Sequence, residues 1–257
     1  MKISVCCITK NEEIHIERLI QNINDIAEEI IVVDSFSTDN TIKILEKYNF
    51  KIFKRKFDNF SNQKNYCLSK VSDSSQWVLF IDADELLTQE LKNKNLTIEN
   101  KTYDAYEIKR KFYWKNKWVK RGYYPTWFLR IGKKQFLQFD DNEINEHMIC
   151  SSNNIGRLSE NFIDYNLKTT KQWFQKHLIY AKMESNRFYY KKETQRKRII
   201  WNKLPLIIRP FLLLFYRLIL KMSILDGLYV IQYHFYHDFI YRMIIDIMIL
   251  KKKIFKK

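Results

Sequence analysis

Apolar residues in the first half of the chain follow two alternating patterns: short unbroken runs, and runs that recur every three or four positions. The unbroken runs predict buried strands at Ile3–Thr9, Glu29–Asp34 and Trp77–Asp82, because runs of about four to eight apolar residues bounded by polar ones fit strands covered on both faces. Between them, Ile16, Leu19, Ile20 and Ile23 share one helical face within Glu12–Ile23. Ile42, Ile44, Leu45 and Tyr48 carry a second helix, which Ser37 or Thr38 is placed to cap. Lys51–Lys56 alternates apolar and basic residues, as a strand near an edge does, and Ser61–Val71 reads as a third helix. Strands alternating with helices of this length predict an α/β fold on a mostly parallel sheet.

The last third is patterned differently. Lys203–Met222 is apolar but interrupted by Arg209, Pro210 and Arg217. Its longest clean run, Pro210–Tyr216, falls far short of the ~20 residues that span a bilayer. Ile224–Leu250 carries a polar stripe of His234, Asp238, Arg242 and Asp246, whose three charged members are spaced to pair along one helix. His234 and His237 are expected to be structural. Basic clusters border both segments, at Lys191-Lys192, Arg196-Lys197-Arg198, Lys251-Lys252-Lys253 and Lys256-Lys257. Apolar helices bordered this way suit the interface of an anionic membrane, or an ordinary helical core. These shifts divide the chain into 1–100, 101–170 and a helical region at 171–257.

Composition narrows the classes. At 257 residues and 46% hydrophobic content the chain can bury a sizeable core, and 4 Gly with 3 Pro exclude a linker-rich or low-complexity protein. Its four cysteines, two of them adjacent at Cys6-Cys7, form neither a metal-ligand spacing nor a disulfide framework. Residues 1–9 lack the features of a signal peptide, so the protein is expected in the cytoplasm. The net charge of +16 calls for an anionic partner, and nucleic acid and anionic membrane are the usual two.

Candidate chemistry begins at Asp82-Ala83-Asp84-Glu85, which follows the apolar run Trp77–Ile81. In open α/β sheets ligands bind beyond the carboxyl ends of strands. Two carboxylates there suit a hard divalent cation shared with substrate phosphates; acidic residues after a strand also begin turns or cap helices. Glu85 is expected to open the next helix, where a carboxylate favours the dipole. Thr9-Lys10-Asn11-Glu12 and Asp34-Ser35-Phe36-Ser37 end two further strands and are expected to converge on the same crevice. Neither Gly-x-Gly-x-x-Gly nor a Gly-Lys-Ser/Thr loop is present, which leaves the common dinucleotide and P-loop modes unsupported.

Four segments, Val5–Glu13, Ile30–Thr41, Phe60–Asn65 and Val78–Glu85, resemble in order and spacing the family 2 inverting glycosyltransferases of the GT-A fold. The chain looks closest to the subgroup that adds glucose or a related hexose to the lipopolysaccharide inner core. Shorter matches follow at Gly122–Arg130, Ile144-Asn145-Glu146 and Leu225-Asp226-Gly227. The resemblance implies a Rossmann-like nucleotide-sugar half and an acceptor-binding half, together with the C-terminal helical, membrane-associating region. It implies that Asp34 contacts the uracil of a UDP-sugar and that the loop with Thr9, Asn11 and Glu12 closes over the nucleotide. Lys64 would steady the nucleotide or its phosphates; the alternative is a solvated helix lysine. Asp82, Ala83 and Asp84 match the metal motif, with Asp84 the direct ligand of Mn²⁺ or Mg²⁺ and Asp82 holding ribose or metal-bound water. A divalent ion there spreads the charge of the departing diphosphate.

Inversion also needs a base for the acceptor hydroxyl. The acidic stretch Asp140–His147 offers Glu146, with Asp141 as fallback, or else is an exposed loop. The family pattern has His-Glu where this chain reads Asn145-Glu146. Trp114, Trp118, Tyr123, Tyr124 and Trp127 either stack on sugar rings or fill a core. Trp127 and Arg130 are the acceptor candidates, since the Arg fork suits a phosphate. The expected partners are a UDP-sugar, a lipid-linked saccharide and the inner face of the cytoplasmic membrane, with no nucleic acid. Three rivals stand beside this reading: a transferase of capsule or O-antigen assembly on a polyprenyl-linked acceptor, a basic nucleic-acid- or membrane-binding protein without catalysis, and an inactive scaffold.

Overall fold

A computed structural model describes residues 3–95, 102–140, 147–190 and 196–255. The chain divides into two compact units, Met1–Tyr113 with Tyr124–Leu167, and Trp114–Tyr123 with Lys168–Lys257.

The first unit opens with β1 (Ile3–Thr9), α1 (Glu13–Ile23), β2 (Glu29–Asp34), α2 (Thr41–Leu45), β3 (Lys51–Lys54), α3 (Phe60–Ser69) and β4 (Trp77–Phe80). These are the alternating elements the apolar pattern predicts, with ends shifted by a few residues. β5 (Glu85–Leu87), α4 (Gln89–Asn95) and β6 (Ala105–Trp114) follow. After β7 (Lys117–Trp118), which lies in the second unit, come β8 (Trp127–Lys133), β9 (Leu137–Phe139), β10 (Met148–Cys150) and β11 (Ile155–Tyr165).

The main sheet runs β3-β2-β1-β4-β8-β6-β11-β5. β1 to β4 are mutually parallel. β8 is antiparallel to both β4 and β6, and β11 is parallel to β6. The carboxyl ends of β1, β2, β4 and β11 therefore face the same edge of the sheet. β3 sits at the margin with Lys51 and Lys54 exposed, as its alternating pattern predicts.

Strand alternation divides the core into two layers. Val5, Cys7, Val32, Leu79 and Ile81 pack with Ile16, Leu19, Ile20 and Ile23 of α1, while Cys6, Ile31, Val33, Val78 and Phe80 pack with Cys67 and Leu68 of α3. All four cysteines are buried free thiols, and burial pushes the Cys7 and Cys67 thiols well up.

Two local expectations change. Ser37 and Thr38 do not cap α2, which begins after Asn40; they bridge the loops that follow β1 and β2 instead. Glu85 opens a strand rather than a helix. Its buried carboxylate accepts the Asp82 amide at 2.9 Å, closing a tight turn through Asp82-Ala83-Asp84. β4 consequently stops short of Asp82.

The second unit contains α5 (Thr170–Tyr190), α6 (Arg196–Lys203) and α7 (Ile208–Phe215). α7 continues as a π-helical turn, Tyr216–Leu220, and a 3₁₀ turn, Ser223–Asp226. α8 (Leu228–His234), a second π turn (Phe235–Tyr241) and α9 (Arg242–Phe255) then form one continuous helical stretch. Ala181 of α5 packs with Tyr241, Ile245 and Ile249. Among the described residues no helix is long and apolar enough to cross a membrane.

The polar stripe at Ile224–Leu250 exists, but its charges do not pair along the helix as the spacing predicts. Asp246 takes Arg209, Arg242 takes Glu184 at 2.9 Å, and Asp238 takes Tyr123 at 2.9 Å with His234 and His237. Arg242 and Asp246 go to partners on other elements because the stripe faces the inside of the unit, where Asp238 and Asp246 are both buried; Asp238 also keeps the histidines of its own stretch.

Candidate active site

The loops after β1 and β2 are tied to each other by side chains. Asp34, at the carboxyl end of β2, is fully buried. Its carboxylate accepts from Thr9 Oγ1 at 2.9 Å, Ser37 N at 2.7 Å and Ser37 Oγ at 2.5 Å. Asn11 sits at φ 54° and gives its amide to Ser37 Oγ, while its own Oδ1 accepts the Thr38 amide at 2.8 Å. The left-handed conformation at Asn11, which Asn adopts more readily than most residues, turns its side chain across the gap. Glu12 caps α1 through its carbonyl and accepts His15 Nδ1 at 2.6 Å. His15 Nε2 accepts the Leu167 amide at 2.8 Å, so the proton on this buried ring sits on Nδ1 and is donated to Glu12.

The Asp82-Ala83-Asp84 turn stands at the next strand end. Lys64, buried on α3 between the Phe80 and Phe139 rings, reaches Asp82 Oδ1 at 3.1 Å. It is not the solvated lysine of the alternative reading. Arg130, from the middle of β8, lies 3.5 Å from Asp82 Oδ2 and 2.5 Å from Glu85 Oε1. Asp84 Oδ2 accepts Asn166 Nδ2 at 2.7 Å, and Tyr165 N binds the Asp84 carbonyl at 3.0 Å. Arg18 of α1 secures the same junction through the Tyr165 carbonyl at 2.7 Å.

Asp164, Arg110, Arg18 and Asn166 carry no motif and were missed by reading the sequence. β11 alternates apolar and polar residues into Asp164-Tyr165-Asn166, and that polar ending was the available signal. Asp164 lies opposite Glu85 in the sheet register and takes Arg110 at 3.1 Å. Burial raises Glu85 to about 8, with Asp82 and Asp164 reinforcing the shift and Arg130 opposing it. Burial likewise raises Asp164 to about 6, opposed by Arg110 and reinforced by Asp84 and Asp82. The four acids Asp82, Asp84, Glu85 and Asp164 thus stand among Lys64, Arg130, Arg110 and Arg18, and it is chiefly burial that keeps Glu85 and Asp164 raised.

A cavity of about 250 Å³ adjoins this cluster, lined by Glu107, Trp127, Arg130, His147 and Asn153 among others. It brings together Trp127 and Arg130, the two acceptor candidates. Tyr124 stays with Trp127, Lys109 Nζ lying 5.9 Å from its ring and 5.5 Å from the Trp127 ring; Trp114 packs against Trp173 and Tyr233, and Tyr123 against His234, within the second unit. Asp140 and His147 bond to each other through their backbones. Glu146 and Asp141, the candidate bases, belong to the connection between them and lie outside the described residues.

Residues 4–160 match the domain described as Glycosyl transferase family 2. An uncharacterized glycosyltransferase of Rickettsia typhi, RT0209, is 36% identical over 149 residues, covering 56% of this chain and 50% of that protein. The prophage-derived glycosyltransferase SunS of Bacillus subtilis is 37% identical over 89 residues, covering 34% of this chain and 21% of SunS. The chain spans about half the length of the Rickettsia relatives it matches. The crystal structure of S. aureus TarS residues 1–349 in complex with UDP superposes with a TM-score of 0.50 at 18% identity, over 98% of this chain and 91% of that one. That likeness concerns the fold, which is α/β and GT-A-like. The chain belongs to glycosyl transferase family 2.

Proposed function

We propose that the protein transfers a hexose, glucose or a close relative, from a UDP-sugar to a lipid-linked saccharide of the lipopolysaccharide core, with inversion at the anomeric carbon. The observation that carries this reading is the meeting, at one edge of the sheet, of the tied Thr9–Asp34 loops with the Asp82-Ala83-Asp84 turn. Uracil would bind at Asp34, its N3–H taking the place of the Ser37 hydroxyl on the carboxylate. Thr9, Asn11 and Glu12 would shape the loop over the nucleotide, and Lys64 would hold Asp82 in place while facing the phosphates.

The residues fit a hard divalent cation, Mn²⁺ or Mg²⁺. The turn after β4 supplies two carboxylates, Asp82 and Asp84, of which Asp84 accepts a single amide from Asn166 on Oδ2, and among the described residues no three acidic, His or Cys groups form a complete cage. A cation shared with substrate phosphates needs only one or two carboxylates. Asp84 would bind it, with Asp82 beside it, and when bound it supplies charge stabilisation to the departing diphosphate. Asn166 would hold the Asp84 carboxylate in orientation. Trp127 and Arg130 would receive the acceptor in the adjoining cavity. Glu146, with Asp141 the alternative, would take the proton from the acceptor hydroxyl; its neighbour His147 lines that cavity. The acceptor would be presented at an anionic membrane surface, on the inner face of the cytoplasmic membrane.

Turnover of UDP-glucose, UDP-galactose and their N-acetyl forms, with and without Mn²⁺, tests this reading. Metal-dependent turnover of one donor, absent in Asp84→Asn, is expected. No binding of any UDP-sugar by the folded protein with metal present would overturn it.

A further inference from the structure

Between Leu204 and Tyr229 the chain has four charged residues, Arg209, Arg217, Lys221 and Asp226. Read in sequence, the two arginines interrupt an apolar segment. In the structure they turn inward. Arg209, buried, forks onto Asp246 with Nε at 2.8 Å from Oδ1 and 3.0 Å from Oδ2, and the Ile207 amide joins the same carboxylate at 3.0 Å. Arg217 lies over the Tyr123 ring at 4.3 Å, donates to the Gly122 carbonyl and places Nε 3.6 Å from Asp238 Oδ2. Arginines and aspartates are equally spaced on their antiparallel segments, so Arg209 meets Asp246 where Arg217 meets Asp238. Asp226 is closed off by the Arg121 amide and guanidinium. Only Lys221 of the four stays exposed and unclaimed by a carboxylate among the described residues.

With the charges drawn inward, the outer face of this hairpin is apolar. Phe215, Leu220, Leu225 and Leu228 are exposed, at 55%, 63%, 60% and 83%. Phe211, Leu212, Ile219 and Ile224 are about half exposed beside them. Monomeric proteins rarely leave so continuous an apolar surface to water. Its border is basic and aromatic: Lys221 Nζ lies 5.5 Å from the Tyr216 ring, and Lys115 Nζ 5.8 Å from the Tyr229 ring. Lysine beside tyrosine around an apolar face is the pattern of the water–lipid boundary, where rings sit at headgroup level and ammonium groups meet anionic lipid.

We infer that the segment Ile208–Tyr229 is an interfacial wedge. It enters the headgroup–acyl boundary of an anionic bilayer with Phe215, Leu220, Leu225 and Leu228 leading and Lys115 and Lys221 on phosphate. The ion pairs are what make it a wedge: they hold α7 against α9 and the first π turn against the second, and keep both arginines out of the lipid. A second copy of the chain fits less well. A two-fold interface would press the patch on itself and bring the lysine rims together, which like charges disfavour. The inference deepens the proposed membrane-borne acceptor and rests on that reading only for its purpose, since its geometry lies wholly in the second unit.

Co-sedimentation with phosphatidylethanolamine–phosphatidylglycerol vesicles tests it, scored beside UDP-sugar turnover on the same preparations. The wild-type chain should bind, and much of the binding should survive high salt, because the apolar term is not screened. Leu220→Glu/Leu228→Glu should lower partitioning by about a hundredfold, with its thermal melt and soluble-donor turnover unchanged. Phe215→Ser/Leu225→Ser should do the same by a milder change and covers the case in which the first variant misfolds. Wild-type protein that stays in the supernatant, variants that bind like wild type, or a dimer in solution that these variants dissociate would each overturn the wedge. Vesicle binding without turnover of any UDP-sugar would instead count against the proposed transferase and leave the wedge standing.

Discussion

At the strand ends of the first unit, burial lifts Glu85 and Asp164 toward neutrality and nearby carboxylates reinforce it, in spite of Arg130 and Arg110. In the second unit Asp238 is equally buried, which alone would raise it, yet hydrogen bonds from His234 and His237 hold it well below the ordinary carboxylate range. Both regions place acids and arginines together out of water, and they do so to opposite effect. Asp246 is closed by Arg209 of α7, and Asp238 by His234 and His237 of its own helical stretch together with Tyr123; both serve the fold. The strand-end acids Glu85 and Asp164 stay raised by burial in spite of Arg130 and Arg110, a perturbation that marks candidate functional sites.

The difference can be broken by substitution. Asp84→Asn is expected to lower UDP-sugar turnover on the order of a thousandfold while leaving the thermal midpoint nearly unchanged, because an amide of the same shape can still accept from Asn166. Urea unfolding and steady-state rates on the same variant check both halves. If turnover persists, the Asp84 carboxylate is not catalytic. Asp246→Ala should do the reverse: it strands buried Arg209 and destabilises the protein by about 3–5 kcal/mol, with turnover per folded molecule unchanged. Arg209→Met/Asp246→Leu should recover most of that loss, since an apolar pair of similar volume avoids the stranded charge. A double variant as unstable as the single one would show that the pair contributes more than mutual neutralisation.

Smaller effects sharpen the contrast. Asn166→Ala removes the amide that holds Asp84 Oδ2, and should weaken apparent Mn²⁺ affinity about tenfold, the lower range for loss of a supporting hydrogen bond. Titrating turnover against Mn²⁺ reads this directly, and an unchanged midpoint would remove Asn166 from the site. His177, which gives Nδ1 to the Trp173 carbonyl and stacks on the Trp173 ring, is lowered by burial from 6.5 to about 4. Between those values the unfolded chain binds the extra proton and the folded chain does not, so stability should fall as pH drops through that window. Thermal midpoints should decline by a few degrees there, and His177→Phe should flatten the decline.

Much of the first unit was legible in one dimension. Buried strands of a parallel sheet are apolar on both faces, so β1, β2 and β4 stood out as unbroken runs, and Ile16, Leu19, Ile20 and Ile23 marked the inner face of α1. Asp82-Ala83-Asp84 and Lys64 were legible because they sit at a strand end or match family segments. Arg110 and Asp164 were not, because each reads as an ordinary polar position of a half-exposed strand. Only the register of β11 against β5 and β6 makes them neighbours of Glu85.

The second unit reverses the balance. Its polar stripe was plain in the sequence, and so was the pairing the stripe suggested, yet Arg242 and Asp246 found partners on other elements and Asp238 took the histidines of its own stretch with Tyr123. Periodicity fixes which residues share a helix face, since that follows from the helix repeat alone. It carries no information on what the face meets. The sequence by itself determined the alternation of elements, the buried strand cores and the carboxylates at the end of β4. Tertiary structure alone decided which arginine reached which aspartate, and therefore which carboxylates burial raises and which their partners hold down. Electrostatic energy depends on distance through space, and residues far apart in the chain become close only when the sheet and the helices are assembled.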